Sequence, residues 1–283
     1  CDVLSVFIRV NLWLNEVFRM KRFLMCEPRF YEVCYVINPW MEGNLGKVDK
    51  ALAQRQWDNL HGIAARLASV SLIEPVAGLP DMVFTANAGL VHKSDVIVSS
   101  FRHTERQPEA RHFERFFAAQ GYRVQRLRQD TIFEGAGDAL FDSHDRLWIG
   151  SGIRSDLQAL DEIVEALGIE ACGLELVDPH WYHLDTAFCP LPEGLAIAYA
   201  KAFSKKSVDT LERTFGEDIV WVSESDAENF ACNAISIDRN VIMHRASAEL
   251  KLALKQRGLE VIETDVSEFL KAGGACKCLT LEI

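Results

Sequence analysis

Hydrophobic and polar positions repeat along this chain in a unit of roughly 45 residues, a period typical of repeat architectures. Each unit contains short apolar strands, a loop rich in polar residues or glycine, and then an amphipathic helix. Five such units follow one another without a linker or a low-complexity tract. The pattern therefore predicts an α/β protein built from five similar units.

Five segments carry the helical part of the pattern. Their apolar residues recur at helical spacing, as Phe113, Phe116 and Phe117 do in the second unit. Gly168 and Gly258 follow two of them, where glycine commonly ends a helix. The predicted helices lie near 49–68, 108–119, 156–167, 205–215 and 246–257.

Short apolar runs beside these helices predict the strands. They lie at 33–37, 83–84, 89–91, 96–98, 124–127, 139–141, 147–150, 175–177, 186–188, 195–199, 219–222, 234–237, 241–243 and 260–262. A short helix is expected after the last of them, before a strand-like C-terminal tail. Five such units that close on themselves would form a propeller-like α/β ring with one central pocket, which is the predicted fold class.

Charge and composition narrow the function classes. Of the 283 residues, 49% are apolar and 25% are charged, as in ordinary globular proteins. Acidic residues outnumber basic ones by 41 to 30, for a net charge of −11. Nucleic-acid binding needs clustered Lys and Arg, so we expect no nucleic-acid partner. The acidic balance favours a small cationic ligand.

The N-terminal segment 1–19 is apolar from Val3 to Leu14, which is shorter than the roughly 20 residues that span a bilayer. We expect residues 1–19 to be a non-native or disordered extension, and residues 20–283 to form a single catalytic domain. The 8 cysteines include no C-x-x-C pair, so we expect thiols in a reducing compartment. These features predict a cytoplasmic protein without a membrane partner.

Three residues distant in sequence supply the groups of a nucleophilic cysteine site. Cys278 follows a Gly273-Gly274 turn near the C-terminus, while His183 and Glu134 lie in separate polar loops. A thiol becomes a strong nucleophile beside a base that a third group orients. We therefore predict a catalytic Cys-His-Glu site formed by Cys278, His183 and Glu134.

The spacing of polar loop residues supports a shared pocket. The series consists of Asn38, Asn87, Glu134, His183, Asn233 and Cys278, separated by 45 to 50 residues. We expect these residues in successive inter-strand loops around one centre. Asn233 is expected to be structural, and Asp138 to cap a loop through backbone hydrogen bonds.

Several segments resemble the amidinotransferase and dimethylargininase superfamily of guanidine-modifying enzymes, which has the pentein fold. Segment 183–186 looks like its H-x-D motif, and 133–138 is similar to its E-G-G-D motif with one extra small residue. The Gly-Gly turn before Cys278 looks like its nucleophile loop. Segments 80–84 and 149–154 resemble its substrate-side segments, so that the resemblance covers roughly 23–283.

The resemblance implies roles for further residues. Cys278 would attack the guanidinium carbon, His183 would act as acid and then base, and Glu134 would orient His183. No metal or other cofactor is needed. The predicted substrate-binding residues are Asp185 for the guanidinium, Arg106 and Arg154 for the carboxylate, and Asn38, Asp81 and Asn87.

One departure of this sequence from the motifs of the superfamily indicates the subfamily. Dimethylargininases carry an acidic pair where this chain has Ala86-Asn87, and arginine deiminases place an aspartate at Asn87. With segment 35–42, this Asn looks most like the arginine dihydrolases, which convert arginine to ornithine, ammonia and carbon dioxide. Lys277 stands where many relatives have His.

Other functions stay open on the sequence alone. They are a dimethylargininase, an arginine deiminase, an amidinotransferase and a non-catalytic pentein binding protein. A cysteine peptidase is disfavoured because the loops carry acids and amides suited to a small cation. The sequence leaves open methylated arginine or agmatine as substrate, one or two hydrolytic cycles, and a homo-oligomer.

Overall fold

The computed structural model describes residues 20–283, so the expectation for residues 1–19 lies outside the described part. The described strands form five sheets of three strands each. They are β1 Arg22–Cys26, β2 Ser69–Ile73, β3 Gly89–His92, β4 Asp95–Val98, β5 Arg123–Gln125, β6 Ala139–Phe141, β7 Leu147–Ser151, β8 Ala171–Glu175, β9 Phe188–Pro190, β10 Ala196–Ala198, β11 Ile219–Trp221, β12 Ile235–Ile237, β13 Asn240–Met243, β14 Glu260–Glu263 and β15 Leu281–Glu282.

The α-helices of the described part comprise five long crossover helices and three short ones. They are α1 Lys50–Leu67, α2 Ala110–Ala119, α3 Gln158–Leu167, α4 Leu184–Ala187, α5 Lys205–Phe215, α6 Glu224–Glu228, α7 Ala248–Gln256 and α8 Ser267–Leu270. Asp49 and Ser247 accept backbone N–H bonds at the starts of α1 and α7, and Gly168 in the left-handed conformation ends α3. All five predicted long helices are confirmed within two residues at either end.

Every sheet has the same topology. An inner strand pairs antiparallel with a middle strand, and a long helix then crosses over to a parallel outer strand, as in β3-β4-β5. The crossover is required because parallel neighbours cannot be joined by a tight turn. In the first sheet the inner strand is β15, which pairs antiparallel with β1 through Phe23↔Glu282 and Leu24↔Leu281. The two ends of the described chain thus share one sheet.

The inner strands of all five sheets face one another around a common axis. Leu90, Leu140, Cys189, Ile235 and Leu281, one from each inner strand, line the same cavity of about 470 Å³. The predicted five-unit α/β ring is therefore confirmed. No helix of residues 20–283 is both long enough and apolar enough to cross a membrane.

Some predicted strands were wrong. The first strand is β1 rather than 33–37, which is an irregular loop; there Val33 O accepts from Gly46 N and Ile37 O from Arg154. Apolar residues of that loop pack on the core without a strand partner, so their pattern resembles a strand. Segment 83–84 lies in and after a 3-10 turn, and 186–187 belongs to α4. Strand β8 ends before 176–177.

Aromatic packing between neighbouring sheets centres on Trp148 in β7. Its ring is fully buried, 5.5 Å from Phe188 and 5.4 Å from Phe215 between centroids. Its indole N–H donates to Asp142 Oδ2 (3.0 Å), so burial leaves no polar group unpaired there. This contact joins the third sheet to the fourth, because Phe188 opens β9.

We predict that Trp148→Ala lowers the free energy of unfolding by about 3–5 kcal/mol, because it leaves a large cavity and removes the indole hydrogen bond to Asp142 Oδ2. Urea unfolding followed by circular dichroism measures the change. Leu252→Ala, at a side chain that is 57% exposed in α7, is the control and should change it by less than about 0.5 kcal/mol. Equal effects of the two substitutions would contradict this role of Trp148.

Candidate active site

The topology brings two sets of loops to the same end of the ring. Middle and outer strands are parallel, so both end at one edge of each sheet. The loops that run from each outer strand to the next inner strand carry, in order, Asn87, Glu134, His183, Asn233 and Cys278. One equivalent loop of each sheet therefore supplies one polar side chain.

The second set of loops connects a middle strand to its crossover helix. Asn38 lies between β1 and α1, Arg106 between β4 and α2, and Arg154 between β7 and α3. The expectation that Asn38 lies in an inter-strand loop was therefore wrong, because the strand assigned to 33–37 does not form. Asn38 nevertheless lines the central pocket, since both loop sets leave the same sheet edge.

The thiol of Cys278 is held from two sides. Asn233 Oδ1 accepts from the backbone N–H groups of Ala275 and Cys278, both at 3.0 Å, and Asn233 Nδ2 donates to Cys278 Sγ at 3.0 Å. The thiol contacts Asp185 Oδ2 at 3.4 Å. A side chain at Gly274 would overlap the Phe84 ring, which explains the glycine in this turn.

Electrostatics keep this thiol protonated in the unliganded protein. Burial, followed by the Asp185 carboxylate, raises the pKa of Cys278 well above its ordinary value. Burial also raises the pKa of Asp185 to about 7, against the opposing effects of Lys277, Cys278 and Asn233. A cation placed beside this pair would lower both pKa values.

A buried ionic chain lies next to the thiol. His183 Nε2 is 2.7 Å from Glu134 Oε2, which also accepts from Arg154 Nη1 at 2.8 Å. The backbone N–H of Arg102 donates to Glu134 Oε1 at 3.0 Å. Burial alone would raise the pKa of Glu134, but Arg154 and His183 outweigh it and hold the pKa well below its ordinary value. Glu134 is therefore ionised and fixes the orientation of the imidazole.

Gly137 allows the side chains of Asn87 and His183 to approach the backbone closely. A Cβ at Gly137 would overlap Asn87 Nδ2 and lie 3.3 Å from His183 Nδ1. The neighbouring Asp138 receives the backbone N–H of Leu184 (2.9 Å), as the expected loop cap, and the Ser155 hydroxyl (2.6 Å). Within residues 20–283 the His183 ring and the Cys278 thiol form no hydrogen bond with each other.

Asp81 is a further carboxylate of the pocket lining. Tyr35 donates to its Oδ2 at 2.9 Å, while its Oδ1 is buried and has no hydrogen-bond partner within residues 20–283. Burial raises its pKa, against Arg106 and Tyr35. A buried acceptor without a partner is costly, so this oxygen favours a ligand that donates a hydrogen bond.

Arg106 is held almost completely by the protein. Its Nε and Nη2 donate to both carboxylate oxygens of Glu109 (3.0 and 2.8 Å), Nη1 donates to Asn87 Oδ1 (2.9 Å), and Nη2 also donates to Asp81 O (3.1 Å). Asn87 Nδ2 in turn donates to Glu134 O at 2.9 Å. Four of the five guanidinium N–H groups are thus used.

A loop closes over the pocket. Arg154 Nη2 donates to Ile37 O at 2.9 Å, Asn38 Nδ2 donates to Ala272 O at 3.0 Å, and the Trp40 indole donates to His180 O at 2.7 Å. The nine predicted site residues are each at most 7% exposed. A ligand can therefore enter only if these bonds open.

The structure brings the predicted site residues together around one pocket. Its lining consists of Ile37, Asn38, Met41, Asp81, Phe84, Asn87, Arg106, Arg154, Tyr182, Ala272 and Cys278. Asp185 contacts the thiol, and His183 and Glu134 lie behind Arg154 and Asn87. No group of three His, Cys, Asp or Glu side chains within 20–283 is arranged to hold a metal ion.

Three contacts of the site were not predicted from the sequence. Asn233 was expected to be structural, yet its amide contacts the thiol directly. Tyr35 and Glu109 were not noticed, although each touches a predicted site residue. The regular loop spacing already pointed to Asn233, and the Arg-x-x-Glu spacing in Arg106–Glu109 was a signal for an ion pair across one turn.

Comparison with known proteins agrees with this fold. A family model described as N,N dimethylarginine dimethylhydrolase, eukaryotic, matches residues 45–283, and the chain belongs to this family, within the guanidine-modifying pentein superfamily. It is 48% identical over 93% of its length to the bifunctional arginine dihydrolase/ornithine cyclodeaminase AgrE of Nostoc sp., covering 38% of that protein. It is 49% identical over 93% of its length to the bifunctional arginine dihydrolase/ornithine cyclodeaminase ArgZ of Synechocystis sp., covering 37% of that protein.

Other relatives match over more of their own length. The N(G),N(G)-dimethylarginine dimethylaminohydrolase of Mycobacterium tuberculosis is 42% identical over 94% of this chain and 86% of its own. The crystal structure of the N-terminal domain of ArgZ bound to substrate superposes with a TM-score of 0.92 at 48% identity, covering 93% of this chain and 97% of that one. The chain thus spans under two fifths of the length of these two bifunctional relatives, and it matches the N-terminal domain of ArgZ.

We predict that Asp185→Asn lowers the midpoint of the pH profile for alkylation of Cys278, because a negative neighbour that raises this thiol pKa is removed. Iodoacetamide labelling in a Cys34→Ser background, read by mass spectrometry of the Cys278 peptide, measures it; Cys34 is the exposed thiol of the described set. Cys278→Ser gives the blank. A midpoint that stays the same or rises would contradict the role of Asp185.

Proposed function

We propose that residues 20–283 form one catalytic domain that hydrolyses the guanidino C–N bonds of L-arginine, or a close analogue, through a covalent adduct on Cys278. One observation carries this proposal. Each pocket arginine is already paired with a glutamate, Arg106 with Glu109 and Arg154 with Glu134. Within residues 20–283 the carboxylates of Asp81, in the pocket lining, and of Asp185, beside the thiol, form no ion pair, and a guanidinium group supplies the missing cation.

The first hydrolysis follows from these positions. Asp185 binds guanidinium N–H groups beside Cys278, and the bound cation lowers the thiol pKa so that the thiolate forms. Sγ attacks the central carbon, and His183, held by Glu134, protonates the departing ammonia. His183 then takes a proton from water, which attacks the S-bound carbon, breaks the C–S bond and releases citrulline.

Asn87 makes a second hydrolysis feasible. Its amide keeps one N–H and one lone pair beyond the bonds to Glu134 O and Arg106 Nη1. It can therefore accept from a guanidinium or donate to a neutral ureido oxygen, whereas a carboxylate can only accept. Thiolate attack on the ureido carbon expels a second ammonia, and water then releases a carbamate that decomposes to ornithine and carbon dioxide.

A single hydrolysis of methylated arginine is the second candidate. The matching family model and the Mycobacterium tuberculosis relative support it. Asn87 favours the dihydrolase reaction, and this choice is also supported by similarity to the N-terminal domain of ArgZ. We further propose a cytoplasmic location, which the free thiols of the described residues support.

We predict that the purified protein converts each arginine to one ornithine and two ammonia, and that Cys278→Ser abolishes this conversion because no thiolate can form. Chromatography of amino acids with an ammonia assay measures the ratio. Cys276→Ala is the matched control, since this fully buried thiol lies two residues away and outside the pocket lining, and it should keep the product ratio. Citrulline as the sole end product would contradict the dihydrolase proposal in favour of a deiminase.

We predict that Asn87→Asp lowers kcat/KM for citrulline at least about tenfold more than for arginine, because a carboxylate repels the ureido oxygen but still accepts from a guanidinium. Steady-state kinetics with each substrate measures both. Asn38→Asp, at another asparagine of the pocket lining, is the control and should not favour arginine to this extent. Parallel losses for the two substrates in Asn87→Asp would remove Asn87 as the discriminating residue.

A further inference from the structure

The ion pair between Arg106 and Glu109 is almost completely buried. Binding of a substrate carboxylate by Arg106 would not require such burial. Arg106 is 4% exposed and Glu109 is completely buried. Both carboxylate oxygens are used, at 3.0 and 2.8 Å. A paired bidentate geometry of this kind compensates the cost of removing two charges from water.

Local structure fixes this pair in place. Arg106-Gln107-Pro108-Glu109 forms a 3-10 turn that leads into α2, with Glu109 N donating to Arg106 O at 2.9 Å. Proline restricts the backbone of the turn, and the guanidinium stacks over the Phe101 ring at 4.7 Å from its centroid. The side chains of Arg106 and Glu109 therefore have little freedom to separate.

The pair acts on the pocket through Asn87. Arg106 Nη1 donates to Asn87 Oδ1, and Asn87 Nδ2 donates to Glu134 O, so each end of the amide has a partner of defined polarity. If the Asn87 amide were flipped, its NH₂ group would face the Arg106 guanidinium and its oxygen would face the Glu134 carbonyl. Donor would then face donor, and acceptor would face acceptor. The orientation that the second hydrolysis needs is thus determined by Arg106.

Without the Glu109 carboxylate, the charge of Arg106 would weaken the binding of a cationic substrate. An unbalanced positive charge in a buried pocket disfavours a second cation strongly, since interactions are weakly screened there. A neutral ureido group would not be repelled in this way. Glu109 lies behind Arg106, outside the pocket lining, so it can balance the charge without competing for the substrate.

We propose that Glu109 is a specificity-determining positioning residue, whose carboxylate lets Arg106 orient Asn87 while the pocket still accepts a cation. This inference rests on the proposed function, in which a cationic guanidinium and then a neutral ureido group occupy one pocket. Glu109 acts through Arg106 and does not itself contact either substrate.

The experiment compares kcat/KM for arginine with kcat/KM for citrulline in each variant. Glu109→Gln keeps the side-chain shape but leaves Arg106 unbalanced, so the arginine-to-citrulline ratio should fall at least about tenfold. Glu109→Asp keeps the charge and should restore most of the ratio. In Arg106→Met/Glu109→Met both charges are gone, so the ratio should return toward wild type while both values fall with the loss of Asn87 orientation.

Glu162→Gln is the matched control. Glu162 is also buried, at 8% exposure, and pairs with Arg128 at 2.9 Å, but it lies outside the pocket lining. Its substitution should leave the ratio unchanged even if it lowers stability. Thermal unfolding of every variant separates folding defects from charge effects. If Glu109→Gln does not fold, Glu109→Asp and Arg106→Met/Glu109→Met still test the inference.

Equal losses for arginine and citrulline in Glu109→Gln, or no change in the ratio, would overturn the inference and leave a purely structural ion pair. Failure of the proposed function has a different signature, because the wild-type protein would then fail to hydrolyse citrulline. In that case the dissociation constants of arginine and citrulline are measured by calorimetry on Cys278→Ser with and without Glu109→Gln. Selective loss of arginine binding still supports the inference, and parallel loss overturns it.

Discussion

The pairing of β1 with β15 is the contact on which the ring and its site depend. Antiparallel bonds between Arg22–Cys26 and Leu281–Glu282 bring both ends of the described chain into one sheet. They close the circle of five inner strands, and they hold the turn that carries Cys278 three residues before β15. Without this closure the five equivalent loops would not face one another, and the site would lack its thiol.

Charge matching explains how so many ionisable groups share one buried pocket. Arg154 with Glu134, and Arg106 with Glu109, form hydrogen-bonded pairs that offset part of the cost of their desolvation. Burial also raises the pKa values of three carboxyl groups, Glu109, Asp81 and Asp185, to about 7 for Glu109 and for Asp185. An empty pocket therefore favours the neutral forms of these acids and of the thiol, and a bound guanidinium shifts them toward their charged forms.

The sequence predicted most of this arrangement, because period and loop spacing are properties of the chain itself. The crossover helices such as α5 Lys205–Phe215, and the placement of Glu134, His183 and Cys278 in equivalent loops, followed from them. Segment 33–37 was misassigned because apolar residues of a packed loop imitate a strand. The contact of Asn233 with the thiol and the balance of Arg106 by Glu109 depend on angles between loops, which a linear pattern does not contain.

The most direct test of cation binding by the pocket is calorimetry. Arginine binding to Cys278→Ala is measured at pH 7 in buffers of different ionisation enthalpy. Asp185, with a pKa of about 7, is partly protonated before binding. Arginine binding should therefore release protons to the buffer, while citrulline binding should release almost none. A binding enthalpy independent of the buffer, or proton uptake with arginine, would contradict this account.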